Sequence, residues 1–314
     1  MSSSSPRAGA ILVVNKDDET LGFVDLSSER MVAAVPLSGT TGHEVAVAPD
    51  GRRAVVPIYG NAGVGVAGTD GRTVDVIDLA ARTRVAAVDL GAPVRPHCPQ
   101  FAGSTLYVTA ETGNEVLALD ADTLAVRDRI PTGAPQAHML ALSADSTIGC
   151  TANVEPGSIS ILDLENRRLR AVVPVAERIN RIVLSPDGCT AYSADQHRPR
   201  LAVVDTASAE VRDWIDLPGI GFGAAMTKSG AIVIALRRDN AIAVLDPVSG
   251  QIERVVAVPR GPQMVVLDPH TRRAYSACQH DDVVVEVDLD RGEVTREIAV
   301  GRNPDGICWI EELP

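Results

Sequence analysis

Residues 181–217 decide the fold. Ile182-Val183-Leu184-Ser185 is a short apolar strand, and Pro186-Asp187-Gly188 is a turn. Thr190-Ala191-Tyr192-Ser193 is a second strand, followed by a loop at Gln196-His197-Arg198-Pro199. Leu201-Ala202-Val203-Val204 is a third strand, closed by Asp205-Thr206-Ala207. Val211-Arg212-Asp213-Trp214-Ile215 alternates in character and forms a fourth. Four strands in so short a stretch, bounded by turn signals, make one blade of a propeller.

The phrase that closes the third strand recurs seven times. Its aspartates are Asp25, Asp78, Asp120, Asp163, Asp205, Asp246 and Asp288, spaced 53, 42, 43, 42, 41 and 42 residues apart. A fixed period of this size marks a repeat architecture, and seven such units close into a disk. The expected fold is therefore all-β, a single seven-bladed β-propeller over 11–314, preceded by a disordered tail at 1–10. The first part of the chain supplies three strands of a blade, at 11–15, 21–26 and 31–37. The missing inner strand comes from Gly306-Ile307-Cys308-Trp309-Ile310, so the two ends share one blade and close the ring. With the four strands of a blade lettered A to D from inner to outer, the A–B turn of the template returns as Pro49-Asp50-Gly51 and Ala144-Asp145-Ser146.

Composition narrows the function. Of 314 residues, 45% are hydrophobic and 22% charged, with a net charge of −12. So acidic a chain lacks the basic surface that nucleic acids or anionic membranes require. No run approaches the roughly 18 apolar residues needed to cross a bilayer. No signal peptide is visible at Met1–Arg7, which places the protein in the cytoplasm. The five cysteines, Cys98, Cys150, Cys189, Cys278 and Cys308, are odd in number and scattered, and read as free buried thiols. Aromatics are only 3%, and Tyr107, Tyr192 and Tyr275 share one repeat position, so they read as packing residues. A base- or sugar-stacking platform has little to be built from.

The pattern Gly-x-x-Pro, strand, Pro-Asp-Gly, strand, apolar-Asp turn resembles the YVTN-type seven-bladed propeller repeat, a relative of the lactonase-like propellers. Its closest forms here are Gly301-Arg302-Asn303-Pro304-Asp305-Gly306 and Ser185-Pro186-Asp187-Gly188. The namesake tetrapeptide is degenerate, as in Tyr107-Val108-Thr109-Ala110 and Tyr275-Ser276-Ala277-Cys278. The resemblance spans the chain and implies the fold. It leaves function open, because such propellers include binding proteins, hydrolases and lyases.

Strand order puts the D–A connections and B–C loops on one face, and the repeated aspartate and Pro-Asp-Gly turns on the other. The repeated turns read as structural. The residues that open the inner strands differ from blade to blade: His43, His97, His138, Asn180, Phe222, Gln263 and Asp305. Asp305, His43, His97 and His138 then form one arc of the channel mouth. Imidazoles with a carboxylate suit a divalent metal ion; polar plugs bonded to channel water are the alternative. The B–C loops add Tyr59, Glu111, Arg237, Arg238, His197 and His280 to the same face. Arg237 or Arg238 is expected to hold a substrate carboxylate or phosphate, with only one of the two facing the channel. Tyr59, Glu111 and Glu44 are candidates for proton transfer. Asn180, Phe222, Gln263, His197 and His280 are candidates for substrate contact. The glycine-rich insertion at 60–71 is either a lid or a surface loop.

The leading expectation is a cytoplasmic propeller whose metal site acts on a small polar or acidic metabolite by elimination, isomerisation or hydrolysis. The alternatives are a non-enzymatic propeller that binds a ligand or protein partner, and a metal-free lactonase-like hydrolase.

Overall fold

A computed structural model describes residues 9–314. Among them every regular element is a β-strand, and the strands form seven antiparallel four-stranded sheets arranged as a seven-bladed β-propeller. No helix among the described residues is long and apolar enough to cross a membrane. The expected tail falls mostly on residues 1–8, outside the described residues. The first strand starts at Ala10, one residue earlier than the sequence pattern suggests, and Ala10 is buried.

Blades are numbered here by their inner strands. These are Ala46–Val47, Pro96–Ala102, Ala137–Leu142, Val183–Leu184, Gly221–Met226, Pro262–Leu267 and, for blade 7, Pro304–Ile310. Blade 7 is completed by Ala10–Asn15, Thr20–Asp25 and Arg30–Pro36. Ala10 pairs with Ile310 and Val13 with Ile307, so the first and last strands zip the ring shut.

Burial follows strand position. The second and third strands of each blade are nearly all buried, as in Ala10–Asn15 and Ala241–Asp246, because blades cover both their faces. The outer strands alternate: Met31, Ala33 and Val35 turn inward between exposed neighbours. Apolar clusters lie between adjacent blades; Leu12, Phe23, Val56 and Ile77 join blade 7 to blade 1.

The repeated aspartates do what a turn former should. Asp25 Oδ1 accepts from the Ser27 backbone N–H at 2.9 Å, and Asp246 Oδ1 from that of Val248 at 2.9 Å. Asp78, Asp120, Asp163, Asp205 and Asp288 make equivalent bonds to their own turns. Four residues after each aspartate the backbone is left-handed: Glu29, Arg82, Leu124, Arg167, Ala209, Gly250 and Gly292 have φ of 57, 51, 56, 53, 57, 72 and 69°. A β-bulge just before each aspartate completes the device, for example between Val203 and Val204. Of the thiols, Cys98, Cys150 and Cys278 are buried and Cys308 is partly buried, but Cys189 lies exposed beside its Pro-Asp-Gly turn. All five are free.

Candidate functional site

The inner strands aim their opening residues at the channel through a second bulge. In blades 2, 3, 5, 6 and 7 the register with the neighbouring strand slips at this point, for instance between Pro96 and Pro99 and between Ala137 and Met139. His97, His138, Phe222, Gln263 and Asp305 sit in these bulges, where an extra residue re-aims a side chain. Two positions upstream of His43, His97, His138, Gln263 and Asp305 the backbone is left-handed, at Thr41, Arg95, Gln136, Gly261 and Asn303. His43 and Asn180 precede the two shortest inner strands. Around the axis the strands crowd closely: Gly306 N donates to His43 O at 2.8 Å, and a Cβ at Gly306 would meet that oxygen at 2.2 Å.

The three histidines come together. His43 and His97 have ring centroids 5.0 Å apart, and His97 and His138 lie 3.6 Å apart at an interplanar angle of 33°. Tyr59 stands edge-on to them, 5.0 Å from His43 and 5.5 Å from His97. His97 and His138 are buried; His43 is partly open.

Carboxylates fix the outer two rings. His43 Nδ1 lies 2.9 Å from Asp305 Oδ2, and His138 Nδ1 lies 3.1 Å from Glu111 Oε2. Asp305 is buried, and burial opposes its charge. Lys16 at 3.1 Å, His43 and Arg181 outweigh burial and hold the carboxyl far below the usual range. Burial also pushes Glu111 upward, but His138, Tyr59 and Arg95 prevail and leave it lowered. Both carboxylates are therefore ionised and can only accept. Each flanking imidazole must donate from Nδ1, which leaves its lone pair on Nε2 when neutral. Burial drives the His97 pKa well below its ordinary value, helped by the neighbouring His138 and His43. Burial also lowers that of His138, against the pull of Glu111. Among the described residues His97 has no hydrogen-bond partner on either ring nitrogen, although both are buried.

Tyr59 Oη donates to Glu111 Oε2 at 2.7 Å. Burial, then the bond and charge of Glu111, raise the phenol well above its usual pKa, so it stays protonated and serves as a hydrogen-bond donor. The insertion is shorter than its sequence limits, because the ladder extends to a Gly60–Asp70 pair and leaves residues 61–69 as the loop. Arg95 ties it down, donating to Gly63 O and Val66 O, and sits 3.9 Å from Glu111 Oε1.

Arg181 is a site residue that the spacing argument missed. It projects from blade 4 across the channel to blade 1, where Nη1 bonds Glu44, and its Nη2 is 3.5 Å from Asp305. Met139 and Met264 sulfurs line the same guanidinium at 3.1 and 3.7 Å. Burial pushes the Glu44 carboxyl upward against the attraction of Arg181. The legible signal was one step past the opening position. The seven residues there are Glu44, Cys98, Met139, Arg181, Gly223, Met264 and Gly306, with one base and one acid. Lys16, beside Asp305, was missed as well.

The remaining candidates divide. Phe222 lies under two guanidinium groups, Arg181 at 5.2 Å and Arg237 at 5.4 Å from its ring centre. Arg237 is half-buried and Arg238 exposed. Gln263 is buried against Gln279, and Asn180 keeps a buried side-chain oxygen without a partner. His280 is exposed at the edge of a cleft beside Phe222. His197 is exposed and paired with Glu177 at 3.1 Å, away from the arc. Asp305 stands behind His43 with both oxygens engaged, the place of an orienting group. Among the described residues no three His, Cys, Asp or Glu side chains are already gathered as a metal-ligand set.

No family model matches the chain, and no curated protein matches it by sequence. Among solved structures it is similar to hydrazine synthase of Kuenenia stuttgartiensis, with a TM-score of 0.70 and 14% identity over 86% of this chain and 92% of that one. At that identity the likeness concerns the fold alone.

Proposed function

We propose that His43, His97 and His138 hold a divalent first-row metal ion through imidazole nitrogens, and that the site acts on a small polar or acidic metabolite. The observation that carries this is His97, whose two buried ring nitrogens have no partner. It lies between two imidazoles whose Nδ1 atoms are committed to carboxylates. A buried polar atom without a hydrogen bond costs about 1–3 kcal/mol, and neutral imidazoles oriented by carboxylates are a usual form of metal ligand. Two imidazoles on one ion place their ring centres roughly 5 Å apart, given nitrogen–metal bonds of about 2.0–2.1 Å. The His43–His97 spacing of 5.0 Å suits this. The His97–His138 stack at 3.6 Å is too tight, so loading requires one of those rings to turn.

Such an ion polarises a carbonyl or lowers the pKa of water. Glu111 orients His138 and accepts a proton, and Tyr59 supplies one. Arg95 fastens the 61–69 loop as a lid, and Arg237 presents the substrate from the far wall. Elimination, isomerisation and hydrolysis all fall within that equipment. We also assign the repeat to the YVTN type and the protein to the cytoplasm, on its turn pattern and composition. A protein-docking role has less to draw on: of the exposed large apolar side chains among the described residues, only Val66 lies on this face.

Cobalt(II) titration followed by calorimetry tests the reading. Wild type should bind about one ion near pH 7.5. Affinity should fall only below the ordinary imidazole value of about 6.5, because burial lowers the pKa values of His97 and His138 and delays the competition of protons for their nitrogens. Glu111→Gln should weaken binding roughly 10–100-fold by loosening His138, and alanine at any of the three histidines should weaken it further. Unchanged binding in all three alanine variants would refute the assignment.

A further inference from the structure

Across the channel from the histidine arc lies a cleft of about 410 Å³. Phe222, Arg237, Arg238, Asn240, Arg260 and His280 lie on its walls, and among the described residues no carboxylate lines it. This is unusual ground in a chain of net charge −12.

The cations are not equivalent. Arg260 is forked onto Asp281, with Nη2 to Oδ1 at 2.6 Å and Nε to Oδ1 at 2.8 Å, so its charge is spent. Arg237 is held by neutral groups instead. Its Nη2 donates to Gln279 Oε1 at 2.7 Å, and the side-chain amide of Gln263 lies 3.0 Å from its Nε. Its guanidinium rests over Phe222. Glutamine amides fix the direction of an arginine without neutralising it. Burial, together with Arg181 and Arg238, lowers the Arg237 pKa, and Asp305 only partly offsets this. Arg238, the next residue, is exposed and pairs with no carboxylate among the described residues. Asn240 Oδ1 is taken by the Gly261 backbone N–H at 3.0 Å, which leaves its amide hydrogens free to donate into the cleft.

We propose that this cleft is an oxyanion subsite in which Arg237 and Arg238 bind a small ligand carrying two negative charges, a phosphate monoester or a dicarboxylate. Two uncompensated arginines set the charge. The planar donor fork of Arg237 suits an oxyanion's paired oxygens, and the apolar face of Phe222 backs it in a partly dehydrated setting. The proposal deepens the function above by naming the substrate class. It rests on that reading only for the catalytic role of the bound anion, since binding itself needs no metal.

The test is calorimetry on metal-free, full-length protein with inorganic phosphate in one arm and malonate in the other. One or both should bind near 1:1, with affinity falling as salt rises. Arg237→Met and Arg238→Met should each weaken binding at least about fivefold, a loss typical of a charge-assisted bond. Arg238 is exposed, so its replacement leaves the fold intact and keeps the test valid if Arg237→Met misfolds. Preference for phosphate or for malonate identifies the source of the charge. Failure of both anions to bind, or binding that neither substitution weakens, would overturn the proposal. Because no metal is present, that failure would leave the histidine assignment untouched, and a failed cobalt titration would leave this one untouched.

Discussion

A chain ending at Asn303 is expected to lose its cooperative fold. The removed segment contains the inner strand of blade 7, which pairs along Ala10–Asn15. Ile307 and Ile310 are buried, and burying each is worth about 1.5–3 kcal/mol. Asp305 leaves as well, and with it the partner of Lys16, His43 and Arg181. Stripping one partner from a buried charge cluster costs about 3–5 kcal/mol. Together these losses rival the 5–15 kcal/mol that holds a typical protein folded. The uncovered strand Ala10–Asn15 is apolar as far as Val14 and becomes an open sheet edge, which favours aggregation. Thermal unfolding followed by circular dichroism should show no sharp transition for the truncated chain, and a peptide spanning 303–314 added in trans should restore one. A cooperative melt within a few degrees of the full-length protein would contradict the closure argument.

The second large effect is at Arg181. Arg181→Met keeps most of the side-chain volume and meets Met139 and Met264, already in contact with the guanidinium. It leaves Glu44 buried and unpaired, and burial already pushes that carboxyl upward. The expected loss is about 3–5 kcal/mol. With an unfolding entropy near 2.1 cal/mol/K per residue, that is a fall in Tm of roughly 5–8 °C. Adding Glu44→Gln to Arg181→Met should recover most of it, because the double variant buries no lone charge. A single variant as stable as wild type, or a double variant no better than the single, would show that the pair contributes little.

Much of this was legible in the sequence for a physical reason. A propeller blade is a local object, built from strands that follow one another and from turns that bond their own backbone. Asp205 and its six counterparts therefore announce it within a few residues. Phase in the repeat also fixes which residues face the axis, so His43, His97 and His138 could be gathered from numbering alone. What spacing cannot convey is the meeting of side chains across the channel. Glu44 and Arg181 lie 137 residues apart, and no periodicity links them. The same holds for Lys16 with Asp305, whose carboxylate bonds both Lys16 and His43. Adjacent arginines illustrate the intermediate case. The strand ends at Leu236, so alternation does not govern Arg237 and Arg238: both lie in the following turn and both line the cleft, one half-buried and the other exposed. Which of them turns inward depends on Phe222, contributed by another strand of the same blade. His197 shows the opposite limit: it occupies a B–C loop on the correct face yet pairs with Glu177 at the surface.

The measurement that tests the central claim most directly is elemental mass spectrometry on protein purified without chelators from metal-supplemented cells, beside the His97→Ala variant. Near-stoichiometric divalent metal in wild type, lost in the variant, is the expected result. Metal absent from both, or equally present in both, would contradict it.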